Sequence, residues 1–63
     1  MDLLTIVEAA ERLRTPVGTL RHWRLVGTGP RSFVIGRRIF YTADDLNAYI
    51  AAQREAALAG VAA

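Results

Sequence analysis

The N-terminal part of the chain carries a helix start signal followed by apolar residues at helical spacing. Thr5-Ile6-Val7-Glu8 is a capping-box sequence, in which the threonine accepts a backbone hydrogen bond and the glutamate reaches back to the threonine amide. The apolar positions of this segment are Ile6, Ala9, Ala10 and Leu13. Their spacing predicts a helix over about 6–13.

A second helix is predicted directly after the first. Thr15-Pro16 is a favourable start, because a threonine cap precedes proline at the first helical position. Val17 and Leu20 supply the apolar face, and Gly27 is the expected left-handed stop. Two short helices joined by about two or three residues predict a helix-turn-helix.

The next apolar residues alternate and predict a β-hairpin. The runs 32–35 and 39–41 are rich in β-forming residues and flank Gly36-Arg37-Arg38. We expect a loop of about three residues, because that register gathers four apolar residues on one face: Phe33, Ile35, Ile39 and Tyr41. A two-residue loop would instead bring Arg38 onto the face of Phe33 and Ile35.

A third helix is predicted after the hairpin. Thr42-Ala43-Asp44-Asp45 is a cap sequence with acids in the first turn, and the inward stripe is expected at Leu46, Tyr49 and Ile50. The alanine-rich segment 51–63 has a weak apolar face, and Gly60 is expected to interrupt it. We expect one domain over 1–63, with a folded core over about 3–55 and a tail over 56–63 that is frayed or a helical extension.

Length and composition exclude most other classes of protein. A chain of 63 residues supports one small core, and it holds no cysteine and one histidine, so a disulfide framework or a metal cage is not expected. No nucleophile–base pair or phosphate-binding glycine loop is present, so we expect no catalysis, no cofactor and no small-molecule substrate. No apolar run approaches the roughly 20 residues of a membrane span, which favours a cytoplasmic location.

The charges are segregated along the chain. Between residues 12 and 38 every charged residue is basic, while both flanks are net acidic: the arginines are Arg12, Arg14, Arg21, Arg24, Arg31, Arg37 and Arg38. A basic block without acids favours a polyanion partner, because each neutralised phosphate releases condensed counterions. The alternative is a solvated charge run, but such runs normally mix both signs.

Four segments in this order resemble a known family. LLTIVEAAERL, VGTLRHW, GTGPRSFVIGRR and YTADDLNAYI are similar to the small excisionase and AlpA-type DNA-binding proteins of MerR-like winged-helix fold, particularly the short Xis proteins of actinobacterial phages. The resemblance covers residues 3–50. It implies a small α+β winged helix-turn-helix that binds double-stranded DNA without catalysis.

The resemblance also implies how the protein meets DNA: the second helix lies in the major groove and the hairpin wing enters the adjacent minor groove. On the exposed side of the second helix the candidates for base contact are Gly18, Thr19, Arg21 and His22. The wing candidates are Gly36, Arg37 and Arg38. The candidates for phosphate contact are Arg14, Trp23, Arg24 and Arg31, with Trp23 expected chiefly to support the wing.

The function that follows is that of an excisionase, a recombination directionality factor that bends DNA beside a phage integrase in a bacterial host cell. An AlpA-like or MerR-like transcriptional regulator is the first alternative, and a small protein-interaction module is the second. Copies are expected to align head to tail on repeated sites. Val34 and Phe40, side by side on the outward face in the preferred register, are the expected contact.

Overall fold

Three helices and three strands make up the part of the chain that the computed structural model describes, residues 2–62, with side chains described up to residue 60. Their order is β1 (Leu3–Thr5), α1 (Ile6–Leu13), α2 (Val17–Val26), β2 (Phe33–Ile35), β3 (Arg38–Thr42) and α3 (Ala43–Ala62). A helix-turn-helix followed by a hairpin wing and a closing helix is a small α+β winged helix-turn-helix, as the sequence predicts.

The predicted capping box starts α1. The Thr5 amide donates to Glu8 Oε1 at 2.9 Å, and the Glu8 amide donates to Thr5 Oγ1 at 3.2 Å. The helix turns Ile6, Ala9 and Ala10 into the core. Because two alanines face inward, the neighbouring elements can approach α1 closely.

The turn from α1 to α2 is made by a residue in the left-handed conformation. Arg14 has a φ of 51°, and its amide bonds to the Glu11 carbonyl at 3.1 Å while the Thr15 amide bonds to the Ala10 carbonyl at 3.0 Å. Glycine is the usual residue in this position, because a side chain in the left-handed region costs roughly 1–2 kcal/mol. The chain accepts this cost at an exposed arginine.

The start of α2 differs from the expectation. Thr15 does not cap the helix; its hydroxyl donates backward to the Leu13 carbonyl at 2.9 Å, and Pro16 occupies the N-cap position with no side-chain hydrogen bond. The left-handed turn at Arg14 places the Thr15 hydroxyl against the end of α1 instead of the start of α2. The predicted stop is confirmed, since Gly27 has a φ of 81°.

The three strands form an antiparallel sheet in the order β1-β3-β2. β1 was not predicted. Its three residues lead directly into the capped helix, and they become a strand by pairing with β3, with Leu4 opposite Tyr41. This pairing joins residues almost forty positions apart in the chain, which local patterns do not encode.

The preferred hairpin register is wrong. Phe33 pairs with Phe40 and Ile35 with Arg38, so the loop has only two residues, Gly36 and Arg37. Gly36 has a φ of 63°, and a glycine at positive φ in the first loop position suits a tight two-residue hairpin.

This register divides the apolar residues of the hairpin between the two faces of the sheet. Ile39 and Tyr41 face the core, and Val34 lies opposite Ile39 on that side. Val34 and Phe40 are therefore not neighbours on the outward face. Leu3, Phe33, Ile35 and Phe40 lie together on the outward face, here termed the outer face, and Arg38 joins them there opposite Ile35.

The third helix is capped as predicted, since the Asp45 amide donates to Thr42 Oγ1 at 3.1 Å. Leu46 is fully buried and Tyr49 half-buried, but Ile50 is 44% exposed, so the inward stripe is shorter than expected. Gly60 does not interrupt α3, which continues to Ala62. One glycine among alanines costs only about 1 kcal/mol, and the alanines favour the helix.

The core lies where α1, α2, β3 and α3 meet. Its fully enclosed members are Ile6, Ala9, Ala10, Leu20, Tyr41 and Leu46. Half-buried side chains, including Leu4 and Trp23, close its edge. Within residues 2–62 no helix is both long and apolar enough to cross a membrane.

Candidate nucleic-acid interface

The side of α2 that faces away from the core carries the four candidates for base contact. Leu20 is fully buried and fixes the rotation of the helix. Gly18, Arg21 and His22 are consequently exposed, and Thr19 is half-buried. A Cβ at Gly18 would meet nothing within 4 Å, so the surface there is open.

The wing tip presents its predicted residues to solvent. Gly36, Arg37 and Arg38 are all exposed. Arg38 is the first residue of β3 and lies opposite Ile35, whereas Arg37 stands at the turn itself. Two arginines on a tight turn concentrate positive charge in a segment narrow enough to enter a minor groove.

A cleft of about 370 Å³ joins these two elements. One side is formed by Arg21 of α2, and another by Arg37 and Arg38 of the wing. The remaining lining comes from Ile39 and from the start of α1, residues 5–7. Arg21 thus shares one cavity with Arg37 and Arg38, which lie 16 and 17 positions later in the sequence, and no acidic side chain lines it.

A smaller hollow of about 260 Å³ lies on the loop between α2 and β2. It is lined by Arg24, Gly27, Thr28, Gly29, Pro30, Arg31 and Ser32. Arg24 Nε donates to Ser32 Oγ at 2.7 Å, which ties α2 to the residue before β2. Sequence reasoning missed Ser32, because this contact depends on how the hairpin folds back against α2.

Trp23 packs against the loop between α2 and β2. A Cβ at Gly29 would lie 2.9 Å from Trp23 Cβ, so the loop passes directly over the indole ring. On its other side the ring packs against Tyr49, with centroids 5.6 Å apart and planes tilted by 48°. Trp23 therefore holds the loop that leads to the wing, while contact of its N–H with a phosphate stays a prediction.

Tyr41 lies beneath the arginine-rich side of the sheet. Burial raises the pKa of its phenol, and this effect outweighs the opposing influence of Arg24, of a hydrogen bond with Ser32 and of Arg21. The phenol is therefore protonated at neutral pH and adds no negative charge beside the arginines. The residue pattern alone predicts for Tyr41 only a position on the apolar face of the hairpin.

Two other candidates lie apart from the cleft. Arg31 is exposed on the rim of the smaller hollow. Arg14 is exposed on the turn between α1 and α2, and it lines neither cavity. Five of the seven arginines between residues 12 and 38 thus line the cleft or the smaller hollow, and Arg31 also lines a cavity of about 330 Å³ together with Asp45.

Comparison with known proteins agrees with this architecture. The model of a family described as a helix-turn-helix domain matches residues 3–54, most of the chain. Comparisons with curated proteins and with solved structures found no match. In proteins of helix-turn-helix type the second helix lies in the DNA major groove. The chain belongs to the helix-turn-helix domain family.

Proposed function

We propose that this protein is a sequence-specific DNA-binding and DNA-bending protein that acts as an excisionase beside a phage integrase. The observation that carries the DNA-binding part is the cleft in which Arg21 of α2 meets Arg37 and Arg38 of the wing. Polyanion binding explains why arginines from two elements converge there without an acidic partner among the lining residues.

The cleft fits a particular docking arrangement. With α2 in the major groove and the wing in the adjacent minor groove, the sugar–phosphate strand between the grooves has to cross the space between them. That space is the cleft. Its arginines would clamp backbone phosphates, while His22 and Thr19 on the exposed side of α2 contact base edges. The wing arginines would favour narrow, A·T-rich minor grooves.

The excisionase role rests on the resemblance of residues 3–50 to that family. It implies that DNA is bent and that several copies act together, because one small module cannot single out a site among about 10⁶ or more competitors. The outer face supplies a contact for such copies, since Leu3, Phe33 and Ile35 are 47%, 36% and 51% exposed. It replaces the Val34–Phe40 pair as the proposed surface.

The same surface is too small to hold a stable dimer off DNA. A standard interface covers about 800 Å² per partner, roughly a sixth of the 4730 Å² surface of the chain. Four partly exposed side chains provide less than that. We therefore expect a monomer in free solution that binds repeated sites cooperatively.

The experiment that tests the role is a footprint on the source genome, combined with an excision assay that contains the cognate integrase. Protection of repeated sites at a phage attachment site, with excision that depends on the protein, is the expected result. Protection confined to a promoter, with no effect on recombination, would make the protein a transcriptional regulator and overturn the excisionase role.

A further inference from the structure

The contact between Arg24 and Ser32 links the two DNA-facing elements. Arg24 lies in the last turn of α2, and Ser32 is the residue before β2. Their 2.7 Å hydrogen bond is shorter than the usual 2.9–3.0 Å of an N–H···O bond. An exposed arginine is thus held in one orientation by a side chain eight residues away.

The bond leaves most of the guanidinium free. It uses the Nε proton, and the four protons on the two Nη atoms remain available as a planar fork of donors. An arginine that is already oriented loses less side-chain entropy when it binds an oxyanion.

The hollow beside Arg24 has the charge and the size to take an anion. Arg24 and Arg31 both line it, the lining residues include no acid, and its volume is about 260 Å³. Gly27 and Gly29 leave the loop backbone free of side chains. Because the hollow adjoins the C-terminal end of α2 and the root of the wing, it lies beside the surface assigned to DNA.

We infer that this hollow is a second phosphate-binding site, in which Arg24 and Arg31 contact one phosphate of the DNA backbone and Ser32 is the positioning residue for Arg24. This inference rests on the proposed DNA-binding function. It adds an uncharged residue, Ser32, to the residues proposed to determine DNA affinity.

The inference is tested by duplex affinity and its salt dependence for four variants: Ser32→Ala, Ser32→Thr, Arg24→Ala and the double variant of Ser32→Ala with Arg24→Ala. Arg24→Ala should lower affinity about tenfold and reduce the magnitude of the salt slope by about 0.9, the value of one phosphate contact. Ser32→Ala should lower affinity several-fold with little change in slope, because the charge is kept and only its orientation is lost. Ser32→Thr should retain the wild-type affinity.

The double variant separates positioning from a structural role. If Ser32 acts through Arg24, the double variant should bind as Arg24→Ala does. If Ser32→Ala lowers duplex affinity as much in the Arg24→Ala variant as it does in the wild-type protein, the inference is overturned. Asn47→Ala is the control, since Asn47 is an exposed, uncharged residue of α3 that lines neither the cleft nor the hollow; it should bind as wild type.

Arg24→Lys keeps the result decisive if Ser32→Ala fails to fold. Lysine retains the charge, but its single ammonium nitrogen cannot bond Ser32 and also present a planar fork of two nitrogens to a phosphate, so its affinity should fall several-fold; wild-type affinity would overturn the inference. Loss of all duplex binding by the wild-type protein is a different outcome, which overturns the proposed function itself. If wild-type binding is strong and salt-dependent but Ser32→Ala binds with wild-type affinity, the proposed function stands and only the positioning role of Ser32 is overturned.

Discussion

The indole of Trp23 lies against Gly29 so closely that a Cβ at Gly29 would stand 2.9 Å from both Cβ and Cε3 of the tryptophan. Gly29 also has a φ of 83°, in the region that side chains rarely adopt. Two independent constraints therefore demand glycine at the position where the chain leaves α2 for the wing. The contact packs the loop between α2 and β2 directly against Trp23.

Three glycines give a graded test of that constraint. Gly29→Ala should destabilise the fold by about 2 kcal/mol or more, because strain adds to the clash with Trp23. Gly36→Ala, at positive φ in open space, should cost about 1–2 kcal/mol. Gly18→Ala, inside α2 in open space, should stabilise by about 0.5–1 kcal/mol. Urea unfolding measures all three, and equal effects at Gly29 and Gly36 would contradict the close contact with Trp23.

Stability at alkaline pH should depend on Tyr41. Burial raises the pKa of its phenol in the folded state, so its contribution is fully present below the unfolded pKa of about 10 and is lost as pH rises through the folded pKa. The chain has no lysine or cysteine, so tyrosine is the side chain that titrates in this range. Thermal unfolding from about pH 8 to 11 should show a falling Tm.

Tyr41→Phe should flatten that decline, because it removes the buried phenol that loses its proton. Tyr49→Phe leaves Tyr41 in place and should keep the wild-type decline. If the Tm of Tyr41→Phe falls with pH as steeply as that of the wild-type protein, burial of the phenol is not the cause of the fall.

Local signals were sufficient for the starts of α1 and α3 and for the end of α2, because the determining contacts are short. The capping box at Thr5 and the stop at Gly27 each involve residues within about one helical turn. The hairpin register could not be predicted from local patterns, because it depends on contacts with β1. β1 completes the sheet with Leu4 beside Tyr41, so the core closes without Phe33 or Ile35, and the hairpin can take its tighter loop.

The candidate interface was also predictable only in part. The basic residues were evident from the sequence, because the absence of acidic residues between positions 12 and 38 can be read directly from it. Which arginines share a cavity was not evident, since Arg21 meets Arg37 and Arg38 only once the wing has folded back. Ser32 has no charge and belongs to no motif, so only its 2.7 Å bond to Arg24 identifies it.

Ile35 and Val34 form a matched pair for testing the outer face. They are adjacent in β2, similarly exposed at 51% and 53%, and on opposite faces of the sheet. Ile35→Ser should leave affinity for a one-site duplex unchanged and abolish cooperativity on a three-site duplex. Val34→Ser should preserve both. Gel shifts on the two duplexes measure this, and equal behaviour of the variants would contradict a contact through the outer face.

Substitutions in α2 and in the wing should affect DNA binding in different ways. Arg21→Ala should cost roughly 1–3 kcal/mol of binding free energy, concentrated at one base pair if it contacts guanine and uniform across sequences if it contacts a phosphate. Arg37→Ala should mainly reduce the preference for A·T-rich flanks. Arg54→Ala, on the exposed part of α3, is the control and should bind as wild type. If both Arg21→Ala and Arg37→Ala bind unchanged, the docking arrangement is wrong.

The most direct test of the central claim, that the basic block binds the DNA backbone, is the salt dependence of duplex affinity. With about four to six arginine–phosphate contacts, the logarithm of affinity should fall against the logarithm of salt concentration with a slope of about −3.5 to −5.5. Fluorescence anisotropy of a labelled duplex, titrated with protein at several salt concentrations, gives this slope. A slope in that range supports binding of the DNA backbone by the basic block, whereas a slope near zero would contradict it.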